Sequence, residues 1–117
     1  MKTIIQKRTK SFAAAIWHFC ETLPNSQGYY PFKNQLIRSL SSVGANYRAA
    51  QRGKSTADFI NKLKIVEEEA DETLFFLELL LEINKSLEIK INPLHKEGSE
   101  LLAITVASIK TARKNNT

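Results

Sequence analysis

The sequence predicts an all-α protein, a single-domain four-helix bundle in up-down-up-down order. Apolar residues recur at intervals of three and four along most of the chain, which is helical spacing. With only four glycines and three prolines, the chain has few breaks, and the helical segments are joined by short connections. Short connections place neighbouring helices antiparallel around one core. Because 117 residues suffice for one such core, residues 1–117 are assigned to one domain.

The first two predicted helices meet at a proline-containing turn. The first runs from about Thr3 to Thr22. The second begins at Pro31 and reaches about Gln51, where Gly53 is expected to supply a left-handed C-terminal cap. Gly44, inside the second helix, predicts close approach to a neighbouring helix. The expected core residues are Ile4, Ile5, Phe12, Ala15, Ile16, Phe19 and Leu23, then Leu36, Ile37, Leu40, Val43, Tyr47 and Ala50.

The third and fourth helices also have sequence signals at their ends. Ser55 is the predicted N-cap of a long helix from Thr56 to about Lys85, with Asp58 in the capping-box position. Asn92-Pro93 is expected to open the fourth helix, and the polar tail from Thr111 is expected to fray. The expected core residues are Phe59, Leu63, Val66, Ala70, Leu74, Leu77 and Leu81, then Leu94, Leu101, Leu102, Ile104, Val106 and Ile109.

A second apolar stripe on the third helix predicts self-association. It consists of Ile65, Phe76, Leu79 and Ile83, on the side opposite the core stripe. Burying one such side chain stabilises by about 1.5–3 kcal/mol, so four of them facing water would be costly. We therefore expect these four residues to form the interface of a ring-like homo-oligomer.

The residue types that carry catalysis or bind metals do not form a recognisable set. His18 and His95 have no ligand partner at metal spacing, and neither follows a glutamate by three residues as a di-iron bundle requires. The single Cys20 lies in an apolar stretch, which indicates a buried thiol and a reducing cytoplasm. No apolar run approaches the roughly 20 residues of a membrane span. We expect no enzyme activity, no cofactor, no metal and no membrane partner.

The charges are strongly asymmetric. Residues 1–64 carry a net charge of +9 and residues 65–100 carry −7. On the second helix, Arg38, Arg48 and Arg52 fall with Ser41 and Ala45 in a sector of about 80° away from the core. Arginine forks suit phosphate, so these three arginines are the predicted nucleic-acid contacts. A second predicted set on the first helix comprises Lys7, Arg8 and Lys10.

Two interpretations of these arginines remain open at this stage. They contact backbone phosphates, or they pair with acids of the third helix such as Asp71 and Glu78. No aromatic residue alternates with the arginines, so base stacking is not predicted.

Three segments resemble a known family. They are residues 38–50 (RSLSSVGANYRAA), 58–63 (DFINKL) and 68–80 (EEADETLFFLELL). They are similar to bacterial four-helix-bundle proteins encoded in intervening sequences of 23S ribosomal RNA genes, also labelled S23 ribosomal proteins. The resemblance implies a homopentameric barrel. The sequence is also similar to the accessory protein of diversity-generating retroelements, which looks like a basic pentamer that binds nucleic acid and a reverse transcriptase; this resemblance implies both as expected partners.

These observations predict a non-catalytic, homo-oligomeric bundle that binds nucleic acid, with RNA favoured, through a basic arginine face. The alternative is a protein–protein scaffold that binds no nucleic acid and uses its arginines in intersubunit ion pairs.

Overall fold

The computed structural model describes residues 2–115 and confirms the up-down-up-down four-helix bundle. The bundle measures 49 × 20 × 19 Å. Its helices are α1 (Lys2–Thr22), α2 (Tyr30–Ala50), α3 (Thr56–Ile83) and α4 (Glu88–Asn115), with a single 3-10 turn (Lys85–Leu87) before α4. Among the neighbouring helix pairs α1 and α4 make the least contact, which leaves a gap between them. No helix within the described residues has an apolar stretch long enough to cross a membrane.

The start of α3 is capped as predicted. Ser55 adopts an extended backbone conformation (φ −153°, ψ 167°), and its hydroxyl accepts a hydrogen bond from the Asp58 N–H at 3.1 Å. The Asp58 carboxylate in turn accepts the Lys54 N–H at 3.3 Å. Such caps stabilise a helix by about 1 kcal/mol, so the α2–α3 turn is fixed by local chemistry.

The core is a continuous apolar cluster to which all four helices contribute. Most residues predicted for it are buried, and Thr9, Ser39, Thr73 and Thr105 join them. The hydroxyl oxygens of Ser39 and Thr73 lie 2.8 Å apart across the α2–α3 contact. Each is also within hydrogen-bonding distance of a carbonyl of its own helix, so burial leaves neither hydroxyl unsatisfied. The largest fully buried side chains are Ile16, Leu36, Leu63, Leu77, Leu80, Ile91 and Leu101.

Two predicted helix-end signals are wrong, although α2 ends close to Gln51 as predicted. Within the described residues no glycine has a positive φ, so Gly53 is not a left-handed cap. An ideal Cβ on Gly53 would lie 3.1 Å from the Phe59 nitrogen and 3.2 Å from the Ala50 carbonyl oxygen, and its absence lets the turn close tightly. α4 begins at Glu88, so Pro93 lies inside it rather than at its start. Pro93 has no N–H to donate to the Ile89 carbonyl four residues earlier. Ile89 is 87% exposed, so water can donate to this carbonyl instead.

Several predicted core and surface positions also differ. Ile4 and Ile37 are exposed although they were expected in the core. α4 continues to Asn115, so the tail is helical through that residue, and residues 116 and 117 lie outside the described part. In the second apolar stripe, Ile65, Phe76 and Leu79 are half-buried and only Ile83 is exposed. Phe76 packs edge-to-face on Phe32 of α2 at a ring-centroid distance of 6.1 Å. The single chain therefore covers more of this stripe than its spacing indicated.

Two glycines inside helices differ in the space around them. Gly44 faces Thr9 of α1, and an ideal Cβ would lie 3.9 Å from the Thr9 carbonyl oxygen, an ordinary contact distance. The helices do approach each other here, but a methyl group would fit. Gly98 of α4 is buried, and a Cβ there would lie 2.9 Å from Leu74 Cδ2 and 3.0 Å from Phe12 Cζ. Gly98 is thus the position where close packing requires glycine, a role the sequence analysis did not assign to it.

Candidate nucleic-acid interface

A groove of about 700 Å³ runs along the surface between α1 and α2. Its depth comes from small residues where the two antiparallel helices cross. Gly44 and Ala45 of α2 lie opposite the α1 segment that contains Thr9 and Ala13, so little side-chain volume fills the space between the helices. The lining residues are Thr3, Gln6, Lys7, Thr9, Lys10, Ala13, Leu40, Ser41, Gly44, Ala45, Arg48 and Arg52.

Four cations line this groove, and we call Lys7, Lys10, Arg48 and Arg52 the groove cations. Lys7 and Lys10 lie one turn apart on α1, whereas Arg48 lies in the last turn of α2 and Arg52 in the turn that follows it. All four are exposed, and no acidic residue lines the groove. Within residues 2–115 none of the four forms an ion pair.

The other two predicted contact residues lie outside the groove and are held by acids. Arg8 donates to both carboxylate oxygens of Glu97, with distances of 2.9 Å from Nε and 2.6 Å from Nη2, and Nη2 lies 3.2 Å from Glu100. The hydrogen bond from Arg8 lowers the pKa of Glu97 below its usual range. Arg8 therefore connects α1 to α4 in the described structure.

Arg38 is held in the same way by α3. Its Nη2 donates to a Glu72 oxygen at 2.6 Å, and its Nη1 donates to Glu69 Oε1 at 3.2 Å. These hydrogen bonds raise the pKa of Arg38. For this arginine the ion-pair interpretation describes the structure, although the partners differ from the two acids that were named. Glu78 instead lies 2.7 Å from His95 Nε2.

The groove belongs to a face that is cationic as a whole. Residues 2–54, which contain α1 and α2, carry nine lysines and arginines against one acid, Glu21. Eleven of the twelve acids follow from Asp58 onward, on α3 and α4. The basic patch is therefore one long side of the bundle, and its field extends beyond the groove itself.

Sequence analysis identified all four groove cations, but it did not predict that they face one another. Helical spacing along α2 predicted that Ser41, Ala45, Arg48 and Arg52 share one side. The cluster of basic residues near the start of α1 indicated Lys7 and Lys10. Their convergence depends on how α1 packs against α2. Thr3 and Gln6 were missed because their polar side chains carry no charge signal.

A second groove, of about 990 Å³, lies in the gap that α1 and α4 leave at one end of the bundle. Its walls include Ile4, Phe59, Ile104, Ala107 and Ala112, so it is largely apolar. This chemistry suits a protein surface or an apolar group rather than phosphate.

The remaining candidate residues do not assemble into a metal or nucleophile site. Within residues 2–115, no group of three or more His, Cys, Asp or Glu side chains is placed to hold a metal ion. Cys20 is buried, and this burial raises the pKa of its thiol to about 11. His18 contacts Trp17 edge-to-face, and His95 contacts Glu78 on the surface.

Comparison with known proteins identifies relatives of this chain. The sequence pattern of the family described as 23S rRNA-intervening sequence protein matches residues 1–107. A crystal structure from Bacteroides thetaiotaomicron, of a protein of unknown function from the S23 ribosomal protein family, is similar with a TM-score of 0.85 and 33% identity. The similarity covers 94% of this chain and 99% of that one. No curated protein matched this chain.

Proposed function

We propose that this chain, which belongs to the 23S rRNA-intervening sequence protein family, is a non-catalytic nucleic-acid-binding protein. The groove cations contact backbone phosphates, and the charged face of α1 and α2 draws the polyanion to them. RNA is proposed as the ligand, in line with the prediction from the sequence.

The observation that supports this function best is the convergence of four cations that form no ion pair within residues 2–115, in a groove to which that part of the chain contributes no acid. Arg48, in the last turn of α2, and Arg52, in the turn that follows the helix, are like charges that line the same groove. Lys7 and Lys10 add their charges from the facing helix. A phosphate in the groove would replace this repulsion with attraction, so the local electrostatics favour an anion there.

Assembly into a homo-oligomer would multiply this site. Ile83 of α3 is exposed, and the apolar groove between α1 and α4 offers further contact area. We propose a ring, with five copies favoured by the family resemblance, in which Ile65, Phe76, Leu79 and Ile83 contribute to the subunit interface. Repeated weak phosphate contacts would then add through multivalency. A reverse transcriptase partner and a cytoplasmic location remain predictions from the sequence.

The second candidate function is a protein scaffold without nucleic-acid binding. The observation that favours it is the use of Arg8 and Arg38 in ion pairs with acids of α3 and α4. These ion pairs leave Arg8 and Arg38 less available to phosphates, and exposed apolar residues are typical of protein-interaction surfaces. The two functions differ at the groove cations, which a scaffold would use for intersubunit pairs.

Fluorescence polarisation with labelled RNA separates the two functions. In the groove variant, Lys7→Gln, Lys10→Gln, Arg48→Gln and Arg52→Gln are combined. In the control variant, Lys62→Gln, Lys64→Gln, Lys90→Gln and Lys96→Gln remove the same charge from exposed positions of α3 and α4. The proposal predicts that the groove variant stays folded and oligomeric and loses RNA affinity, while the control variant keeps most of it.

Equal RNA affinities of the two variants would mean that binding depends only on net charge. This result would contradict the proposal that the groove is the binding site. Loss of assembly in the groove variant, together with a wild-type protein that binds no RNA, would support the scaffold instead.

A further inference from the structure

Trp17 lies beyond the lining of the cationic groove, on the face of α1 that carries Lys10 and Ala13. At 100° per residue it lies about 20° from Lys10 and about 40° from Ala13, so it shares their face. It follows Lys10 by seven residues, or about 10.5 Å of helix rise. On α2, Ile37 and Tyr30 lie within about 20° of Arg48 and continue the line in the same direction, since the helices are antiparallel. The α1–α2 surface thus has a cationic half and an adjoining aromatic half.

The indole of Trp17 is accessible rather than part of the core. Trp17 is 44% exposed, whereas Phe12, Ile16 and Phe19 of the same helix are buried. His18 contacts it edge-to-face, with ring centroids 5.1 Å apart and ring planes at 86°. This contact restricts the indole while much of its surface stays open to a ligand. Tyr30, at the far end of the same line, is 58% exposed.

We propose that the groove accepts single-stranded nucleic acid, with its phosphates on the groove cations and a base stacked on Trp17. The inference rests on the proposed function and narrows the ligand to single strands. A positively charged groove joined to exposed aromatic side chains is how single strands are held without sequence preference. At 3.4 Å per phosphate along a stacked strand, the rise between Lys10 and Trp17 corresponds to about three nucleotide steps.

A duplex cannot use the aromatic half of this surface. Its bases are paired and stacked on one another, so their faces reach an exposed indole only after unstacking. The phosphates of a duplex can still contact the groove cations. Duplex binding should therefore depend on charge alone, and the contribution of Trp17 separates the two ligands.

Intrinsic fluorescence can test the stacking directly, because Trp17 is the one tryptophan in the chain. The probes are oligo(dT), an oligo(dT)·oligo(dA) duplex and inorganic polyphosphate, which offers charge without bases. We expect oligo(dT) to quench Trp17 on binding. We expect polyphosphate to displace a labelled strand without comparable quenching, and the duplex to resemble polyphosphate.

The variants are measured with a labelled strand, because they change the fluorophore. One stacked base corresponds to a loss of about 5- to 150-fold in oligo(dT) affinity for Trp17→Ala, with polyphosphate affinity unchanged. Trp17→Phe should retain most of the affinity. Phe75→Ala is the matched control, because Phe75 is 55% exposed on α3 and does not line the groove, and it should bind like wild type. Should Trp17→Ala fail to fold by circular dichroism, Trp17→Leu keeps apolar bulk without an aromatic face.

The failures of the two proposals can be told apart. Oligo(dT) binding without quenching, and with full affinity in the Trp17 variants, would overturn the stacking inference while the phosphate-binding function stands. No binding of oligo(dT), duplex or polyphosphate would overturn both.

Discussion

Replacing Gly44 with alanine should stabilise the protein, whereas replacing Gly98 with alanine should not. Glycine costs a helix about 0.8–1 kcal/mol relative to alanine, so each replacement starts with that gain. At Gly44 the new methyl would lie 3.9 Å from its nearest neighbours, so the gain is kept. At Gly98 it would lie 2.9 Å from Leu74 Cδ2 and 3.0 Å from Phe12 Cζ, inside the 3.5–4.0 Å optimum for carbon atoms.

Because Leu74 and Phe12 are both buried, neither can move aside cheaply. Overpacking of this kind costs about 1–3 kcal/mol, which outweighs the gain in helix propensity. We therefore expect Gly44→Ala to raise the melting temperature by about 3–6 °C and Gly98→Ala to leave it unchanged or lower it by up to about 10 °C. The measurement is thermal unfolding by circular dichroism at one fixed protein concentration, since an oligomer's melting temperature depends on it. Gly98→Ala matching or exceeding Gly44→Ala in stability would refute the packing argument.

Two further predictions concern the ion pair and the assembly. The pKa of Glu97 is lowered by Arg8, so the pair stabilises the fold above the unfolded pKa of about 4.3 and loses that contribution as the pH falls through the folded pKa. Glu97→Gln should lower the melting temperature near pH 7, and the gap from wild type should close at acid pH; a gap independent of pH would contradict it. Light scattering should give several times the 13.3 kDa chain mass, and Ile83→Glu should reduce that mass more than Ile89→Glu, an exposed control outside the predicted interface. A monomeric wild-type protein would contradict the predicted homo-oligomer.

The fold could be predicted from the sequence wherever local chemistry decides it. Ser55 and Pro31 mark the starts of α3 and α2 through capping and fixed backbone geometry, and both signals were interpreted correctly. Pro93 was wrongly predicted to start α4, because proline is common at helix starts. The helix begins at Glu88, after a 3-10 turn capped by Asn84. The Asn84 side chain accepts from the Ser86 N–H, a capping signal that stands nine residues before Pro93.

The candidate site could be predicted only in part, because it depends on contacts between helices. Helical phase put Arg38 beside Arg48 and Arg52, but it could not show that Glu72 reaches Arg38 and leaves the other two unpaired. It could not show that Glu97 holds Arg8 in the same way. No aromatic residue alternates with the arginines of α2, and the sequence does not show how Trp17 of the neighbouring helix α1 is placed relative to them. These partners follow from packing, which no single helix encodes.

The salt dependence of RNA binding tests the central claim most directly, because it counts phosphate contacts. Each neutralised phosphate on a single strand contributes about −0.7 to the slope of log affinity against log salt concentration. Removing the four groove cations should therefore reduce the magnitude of that slope by about 2.8 per bound groove, whereas the control variant, with the same loss of charge, should change it by less than about 1. Equal slopes for the wild type and the groove variant would contradict the claim that the groove between α1 and α2 holds the phosphates.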